Sequence, residues 1–217
     1  LFIHPGNHKK NYQDLSKEFT AIAPPAWTLL LAGHVISRGF TTAIYDVNVH
    51  GWDESVGKEL LSIHNPKLII VMVYGHHPSA STQTMPAASK IVRDIKSCNQ
   101  SIPIALGGTH PSALPERTLD EETIDFVIQG EGVYTISDYL DYLHNDLPLK
   151  RVRGLWMVEN GKPVLCEQPE YISDLDGMLP NYPWELLGNL GNYRAHNMHC
   201  FQDFIHSVMP DFSDVRT

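Results

Sequence analysis

Five short stretches hold most of the residues able to bind or do chemistry. They are His4-Pro5-Gly6-Asn7, Asp46-Val47-Asn48-Val49-His50-Gly51, Tyr74-Gly75-His76-His77-Pro78-Ser79, Gly107-Gly108-Thr109-His110-Pro111-Ser112 and Gly130-Glu131-Gly132. Every one carries a glycine, and all but the last carry a histidine as well. Glycines let a ligand approach the main chain and leave N–H donors free. The small hydroxyls of Ser79, Ser81, Thr109 and Ser112 can bond polar substituents without filling space. That combination suits a broad, flat ligand fringed with amides. A phosphate cradle would need a glycine-rich run ending in Lys-Ser or Lys-Thr, or Gly-x-Gly-x-x-Gly after the first strand, and the sequence has neither. Gly130-Glu131-Gly132 also reads as a plain strand-to-helix turn. The histidines His4, His50, His76, His77 and His110 could instead converge on zinc or iron, giving a His-rich metal-binding α/β protein. Hydrolytic metal sites usually add paired carboxylates, however, and only Asp46 and Glu131 qualify. A second cluster, His196, His199, Cys200 and His206, fits either a metal site or a packed loop.

The elements that carry these stretches alternate. Strand patterns cover Leu1 to His4, Thr41 to Val49, Lys67 to Tyr74, Ile102 to Leu106 and Phe126 to Gln129. Helical patterns cover Pro24 to Ser37, Asp53 to His64, Thr82 to Ser97, Pro115 to Glu122 and Tyr134 to His144, with Asp53 and Ser81 as N-cap candidates. The run Leu68 to Val73 is apolar at every position, as expected of a strand covered by helices on both faces. Right-handed crossovers then give an α/β, flavodoxin-like, doubly wound sheet of five parallel strands in the order 2-1-3-4-5. The chemically capable stretches fall at the carboxyl ends of those strands, where open parallel sheets bind ligands. Beyond about residue 150, Gly154 to Glu159 and Lys162 to Gln168 alternate around Asn160-Gly161, a hairpin signal. A proline- and glycine-punctuated, irregular linker follows. The expected division is 1–150 for the binding domain and 151–217 for the hairpin and connector.

Composition narrows the function classes. The chain has 217 residues, 16 Lys and Arg against 25 Asp and Glu, and a formal net charge of −9. An acidic balance argues against a surface built to neutralise nucleic-acid phosphates. No apolar run approaches the roughly 18 residues of a membrane span, and no signal-like segment opens the chain, so a cytoplasmic protein without a membrane partner is expected. Cys98, Cys166 and Cys200 match neither a zinc knuckle nor a redox pair and read as buried free thiols. A start at Leu1, inside a strand pattern, suggests a piece of something longer.

Taken in order, these motifs resemble the cobalamin-binding domain of cobalamin-dependent radical S-adenosylmethionine enzymes. The resemblance rests on Pro24-Pro25 with its helix, Tyr45-Asp46, Leu106-Gly107-Gly108-Thr109-His110-Pro111-Ser112 and Val127-Ile128-Gln129-Gly130-Glu131-Gly132, and covers roughly residues 1–145. It continues weakly through the hairpin to Asp174-Leu175-Asp176 and Pro183-Trp184, similar to the link into a radical S-adenosylmethionine barrel. Tyr193-Arg194-Ala195-His196-Asn197 is similar to a stretch just ahead of that barrel, so it is expected to contact it. The resemblance implies a corrinoid cofactor held by Asp46, Asn48, Gly51, Tyr74, Gly75, His76, Ser79, Ser81, Gly107, Gly108, Thr109, His110, Gly130, Glu131 and Gly132. Trp27 and Tyr74 could flank a corrin face, with core packing the alternative for Trp27.

Two departures from the family pattern shape that expectation. Carriers such as methionine synthase and the mutases use Asp-x-His-x-x-Gly, with the histidine on cobalt and the aspartate orienting it. Here the text reads Asp46-x-Asn48-x-x-Gly51, which implies cobalamin bound base-off without a protein histidine, since an amide substitutes poorly for imidazole. His50, two residues on, would face the other side of a strand. The second departure is the absence of a Cys-x3-Cys-x2-Cys motif, so the [4Fe-4S] cluster and S-adenosylmethionine belong to the intact enzyme, in a downstream barrel. The reaction implied there is methyl transfer or a related radical step, with this chain inactive by itself. A stand-alone corrinoid carrier or sensor is the alternative. A receiver domain lacks its acidic pair here, and a flavodoxin would need a short Ser- and Thr-rich loop after strand one.

Overall fold

The computed structural model describes residues 1–6, 21–75, 78–179 and 181–194. Five parallel strands, β1 (Phe2–His4), β2 (Ile44–Asp46), β3 (Ile69–Val73), β4 (Ile104–Gly108) and β5 (Phe126–Ile128), lie in the order β2-β1-β3-β4-β5, as the crossover argument requires. The hairpin β6 (Leu155–Glu159) and β7 (Lys162–Leu165) does not stand apart from this sheet. β6 pairs antiparallel with β5, extending one sheet to seven strands. Asn160 and Gly161 turn it with φ of 52° and 75°, the left-handed pair that a two-residue hairpin loop demands.

All five residues of β3 are buried, and they alternate between two cores. Ile70 and Met72 meet α1 (Ala26–Ser37) and α7 (Val133–Leu143) on one face, with Leu31, Val35, Ile136 and Leu140. Ile69, Val71 and Val73 meet α4 (Pro78–Cys98) on the other, with Met85, Ile91, Val92 and Ile95. Burial at this level is worth about 1.5–3 kcal/mol per large aliphatic side chain, more than the exposed ion pairs of the surface helices contribute. Between them in the chain come α2 (Val47–His50), α3 (Glu54–His64), α5 (Thr109–Ala113) and α6 (Pro115–Glu121). Asp53 caps α3 by accepting from the N–H groups of Ser55 and Val56, as its position before the helical pattern implies.

Three local expectations are corrected. The second strand ends at Asp46 instead of running to Val49, because the Asp46 carboxylate accepts the Asn48 N–H and turns the chain into α2. Ser81 is not an N-cap, since α4 already begins at Pro78. Cys98 and Cys166 are half-buried free thiols and not core residues, while Cys200 lies outside the described residues. No helix among the described residues is long and apolar enough to cross a membrane.

The connector after β7 straps the α1 face of the sheet. Arg153, at the foot of the hairpin, grips Asp138 of α7 through Nε and Nη2 at 2.7 and 2.8 Å and reaches Glu170 at 2.7 Å. The chain then crosses α1. The Met178 carbonyl lies 2.9 Å from His34 Nδ1, while Ser137 Oγ lies 2.6 Å from His34 Nε2. At Gly33 a Cβ would come within 2.6 Å of the Asn181 carbonyl oxygen, so glycine is what lets the connector lie against the helix. Further on, Trp184, Leu187 and Tyr193 pack around Leu29, and Ile22 and Arg194 exchange main-chain hydrogen bonds of 3.0 Å.

The strap sets Gly33 apart from an ordinary helix glycine such as Gly57. Gly33→Ala should destabilise the protein by about 1–3 kcal/mol despite alanine's better helix propensity, because the connector backbone cannot yield cheaply. Gly57→Ala in α3 should be neutral or stabilising by up to about 1 kcal/mol, since a Cβ there meets Trp52 at an ordinary 3.5 Å. Thermal melts of the two variants should therefore shift in opposite directions. Burial holds His34 below its ordinary 6.5, so the folded protein keeps it neutral while the unfolded chain takes up the proton. The stability carried by this latch is complete above pH 6.5 and is lost as the pH falls through the lowered value. A wild-type melting temperature that drops between pH 6.5 and 5, with a shallower drop in His34→Gln, is the expected result.

Candidate functional site

The carboxyl ends of β1 and β2 build the first wall of the rim. His4 and Asp46 are register partners across the parallel pair. Asp46 is 2% exposed. Its Oδ1 accepts the Asn48 N–H at 2.9 Å, but its Oδ2 has no partner. Asn48 lies tight against Gly6, where a Cβ would stand 2.5 Å from Asn48 Oδ1, and that oxygen is itself buried and unpartnered. His4 Nδ1 is a third such atom. Burial pushes the His4 imidazole below its ordinary value, against the opposing pull of the Asp46 carboxylate and the Met72 carbonyl. Gly51 closes the turn with φ 77°, and its carbonyl accepts from the Tyr45 hydroxyl at 3.1 Å. His50 sits on the helical turn, exposed, with its ring 5.4 Å from that of Tyr45, so the strand-face expectation for it does not apply.

The ends of β3 and β4 form the middle of the rim and are glycine by necessity. A Cβ on Gly108, whose φ is 123°, would stand 2.2 Å from the Val73 carbonyl oxygen. On Gly75 it would stand 2.5 Å from Ala80 Cβ. Gly107, buried in β4, has Met72 Sδ at 3.2 Å from the same position. Fully buried Ser81 spends its hydroxyl inside the protein: it donates to the Val73 carbonyl at 2.5 Å and accepts the His110 N–H at 3.0 Å. Ser81 therefore shapes the rim. Thr109 and His110 open α5, half-buried, with His110 Nδ1 2.9 Å from Thr82 Oγ1. Ser79 is exposed in the first turn of α4. His76 and His77 lie outside the described residues, as do His196, His199, Cys200 and His206.

After β5, Gly130 and Gly132 both take φ of 84°. Ser112 Oγ accepts the Gly130 N–H at 2.8 Å, tying this turn to the one after β4. Glu131 is committed within the protein, its carbonyl to Trp27 Nε1 at 3.0 Å and its Oε2 to the Ile172 N–H at 2.7 Å. Trp27 and Tyr74 stand with ring centroids 6.4 Å apart beside it. Burial, and then the Glu131 charge, pushes the Tyr74 phenol up to about 12, so it stays protonated and can donate.

The five strand ends thus meet along one edge of the sheet, around the switch point between β1 and β3, where adjacent crossovers diverge. Among the described residues no group of three or more His, Cys, Asp or Glu side chains is arranged to hold a metal ion. A cavity of about 590 Å³ opens at the other, amino-terminal end of the strands, between residues such as Phe40, His64, Lys67 and Tyr139. It is remote from the glycine rim and from the end at which such sheets bind ligands. Tyr193 is a site residue that sequence reasoning missed. It is 4% exposed, and burial, followed by the Asp46 charge and a hydrogen-bonding contact with that carboxylate too loose to satisfy the hydroxyl, pushes its pKa up. Its place in a linker-like stretch pointed to an external contact, and no local pattern marks it as part of this wall.

Comparison with known proteins fits this geometry. A family model described as the B12 binding domain matches residues 13–140. An anaerobic magnesium-protoporphyrin IX monomethyl ester cyclase of Rubrivivax gelatinosus is 26% identical over 194 residues, 85% of this chain and 33% of the relative. An uncharacterized methyltransferase of Pyrococcus horikoshii is 35% identical over 107 residues, 48% of this chain and 23% of the relative. The chain thus spans a third or less of the length of these relatives. In fold it is similar to the cobalamin-dependent S-adenosylmethionine radical enzyme OxsB with aqua-cobalamin bound, at a TM-score of 0.66 and 19% identity over 86% of this chain and 24% of that one. It is also similar to the radical S-adenosylmethionine methyltransferase TsrM of Kitasatospora setae with cobalamin and a [4Fe-4S] cluster bound, at 0.61 and 15% over 80% of this chain and 29% of that one. The matched segment is more than half of the sequence and contains four of the five strand ends, and the chain belongs to the B12-binding domain family.

Proposed function

We propose that this chain holds cobalamin at the glycine rim, base-off and without a histidine on cobalt, as the cofactor module of a larger radical S-adenosylmethionine enzyme. The observation that carries the reading is the Asp46–Gly51 turn, in which the aspartate is kept and the ligand position holds Asn48. The residues fit a corrinoid. Gly75, Gly107, Gly108 and Gly130 keep side chains off the edge, so a macrocycle can lie close to the main chain. Unpartnered Asn48 Oδ1 can accept from its amides, and the protonated Tyr74 hydroxyl can donate. Thr109, His110 and Ser79 add polar groups around the same edge, and His76, Gly51, Ser81, Glu131 and Gly132 complete the assigned set, the last three by shaping it. When bound, the cofactor supplies the organometallic chemistry, and the protein supplies position and shelter from water.

The division of labour follows from what the chain contains. Residues 1–150 form the body of the binding unit, to whose sheet the hairpin and to whose wall Tyr193 are added, and residues 151–217 carry the hairpin and connector toward a barrel that holds the cluster and S-adenosylmethionine. The low share of the relatives' length covered here supports that arrangement, and the methyltransferase among them and TsrM favour methyl transfer as the reaction. A cytoplasmic setting suits oxygen-sensitive cluster chemistry.

The test is to add hydroxocobalamin to the purified chain, desalt it and record the visible spectrum of the protein fraction. Retained corrin absorbance of the base-off type is expected, unchanged in His50→Ala. Asn48→His restores the ligand of the related carriers and should move the spectrum to the histidine-ligated type. A histidine-ligated spectrum in the wild-type protein would refute the base-off assignment. Failure to retain the corrinoid at high protein concentration would refute the cobalamin reading itself.

A further inference from the structure

The connector ends at the wall of the site, and two buried polar atoms there are each short of one hydrogen bond. Asp46 uses Oδ1 to hold the Asn48 N–H, while Oδ2 is sealed from water without a donor. The Tyr193 hydroxyl is sealed from water in the cluster that includes Ile44 and Val49, near Asp46 and without a well-formed hydrogen bond. Each lacks what the other offers, and leaving such groups unpaired costs about 1–3 kcal/mol apiece. The tyrosine ring is held by Leu29 and Leu187 in a cluster that also takes in Ile44 and Val49, on either side of Asp46 in the chain, and its backbone is pinned by the Ile22–Arg194 pair, so the hydroxyl faces that carboxylate in a contact too loose to satisfy either group. His4, whose Nδ1 is likewise without a partner, lies across the strand pair from that carboxylate.

We propose that Tyr193 is a positioning residue for the cofactor site: with the rim loaded, its hydroxyl donates to Asp46 Oδ2, which locks the Asp46–Gly51 turn and ties cofactor affinity to the seating of the connector. This rests on the cobalamin reading and adds a residue from outside the matched segment, which ends at residue 140. The coupling is reciprocal. A corrinoid that tightens the turn also tightens Leu190 to Arg194, and a connector pulled away weakens corrinoid binding by the same factor. Through this contact, the segment leading out of the domain senses whether the cofactor is in place.

The test compares the wild-type chain with Tyr193→Phe, which keeps the ring and removes the hydroxyl. Hydroxocobalamin affinity is read by spectral titration and amide hydrogen exchange across Leu190 to Arg194 with and without the corrinoid. In the wild type, the corrinoid should slow exchange there about tenfold, and Tyr193→Phe should lose that protection and bind about tenfold more weakly, the scale of one hydrogen bond to a carboxylate. The unliganded variant should melt close to the wild-type temperature, because the hydroxyl it lacks makes only a loose contact with Asp46 in that state. Two results would overturn the proposal while leaving the cobalamin reading standing. One is corrinoid binding without protection of the connector. The other is a variant that melts several degrees lower yet binds as tightly as the wild type, which would make the hydroxyl purely structural. Absence of corrinoid binding by the wild type would overturn both.

Discussion

The rim depends on how the two central strands end. β3 and β4 run side by side, and at their tips the Ser81 hydroxyl joins the Val73 carbonyl to the His110 N–H from below, out of contact with water. That single bridge lets α4 and α5 start almost on top of the strand ends, which is why Gly75 and Gly108 have no room for a Cβ. A larger residue at either position would push a helix off the sheet, and with it the edge on which a flat ligand rests. The Ser112 hydroxyl repeats the device one strand over by capturing the Gly130 N–H. Small hydroxyls that in sequence suggest ligand contacts serve here as the mortar between turns, and the ligand-facing surface is left largely to backbone.

The connector carries a second constraint. It runs from the Arg153–Asp138 clamp past Glu131 and His34 to the Asp46 wall, touching the turns after β5 and β2 on the way. Each hold is polar and made by a few atoms, and the apolar contacts of Leu179, Leu187 and Tyr193 fill the space between them. A segment with short helical turns and many prolines and glycines gains its order from these non-local contacts and not from its own propensity.

The sheet order was readable because Ile69 to Val73 admits no polar residue and because Asp53 and Asn160-Gly161 mark boundaries by local chemistry. The second strand was misread in length. Tyr45, Val47 and Val49 alternate like a strand, and only the Asp46 carboxylate, capping its own chain two residues on, turns that text into helix. Ser81 failed as an N-cap because the helix starts nearly a turn earlier at Pro78, a residue favoured at the first helical position, whose signal was passed over for the hydroxyl. Glu131 and Tyr193 were not readable at all in their present roles. Their partners, Ile172 and Asp46, lie 41 residues away in one case and across the whole domain in the other, where periodicity carries no information.

The survival of Asp46 beside Asn48 follows from the same physics. In a carrier with histidine at the middle position, the aspartate orients the imidazole, and losing the histidine would seem to make it dispensable. Here the carboxylate has a second duty that does not involve a metal ligand, holding the Asn48 N–H so that the chain leaves β2 as a tight turn against Gly6. Without that cap, Asn48 would swing off Gly6 and the floor of the rim would open, whichever group occupied the ligand position. A buried carboxylate oxygen left without a donor costs about 1–3 kcal/mol or more, which a donor in the working state recovers. Among the buried polar groups around it, Tyr193 offers that donor on a backbone already fixed in place.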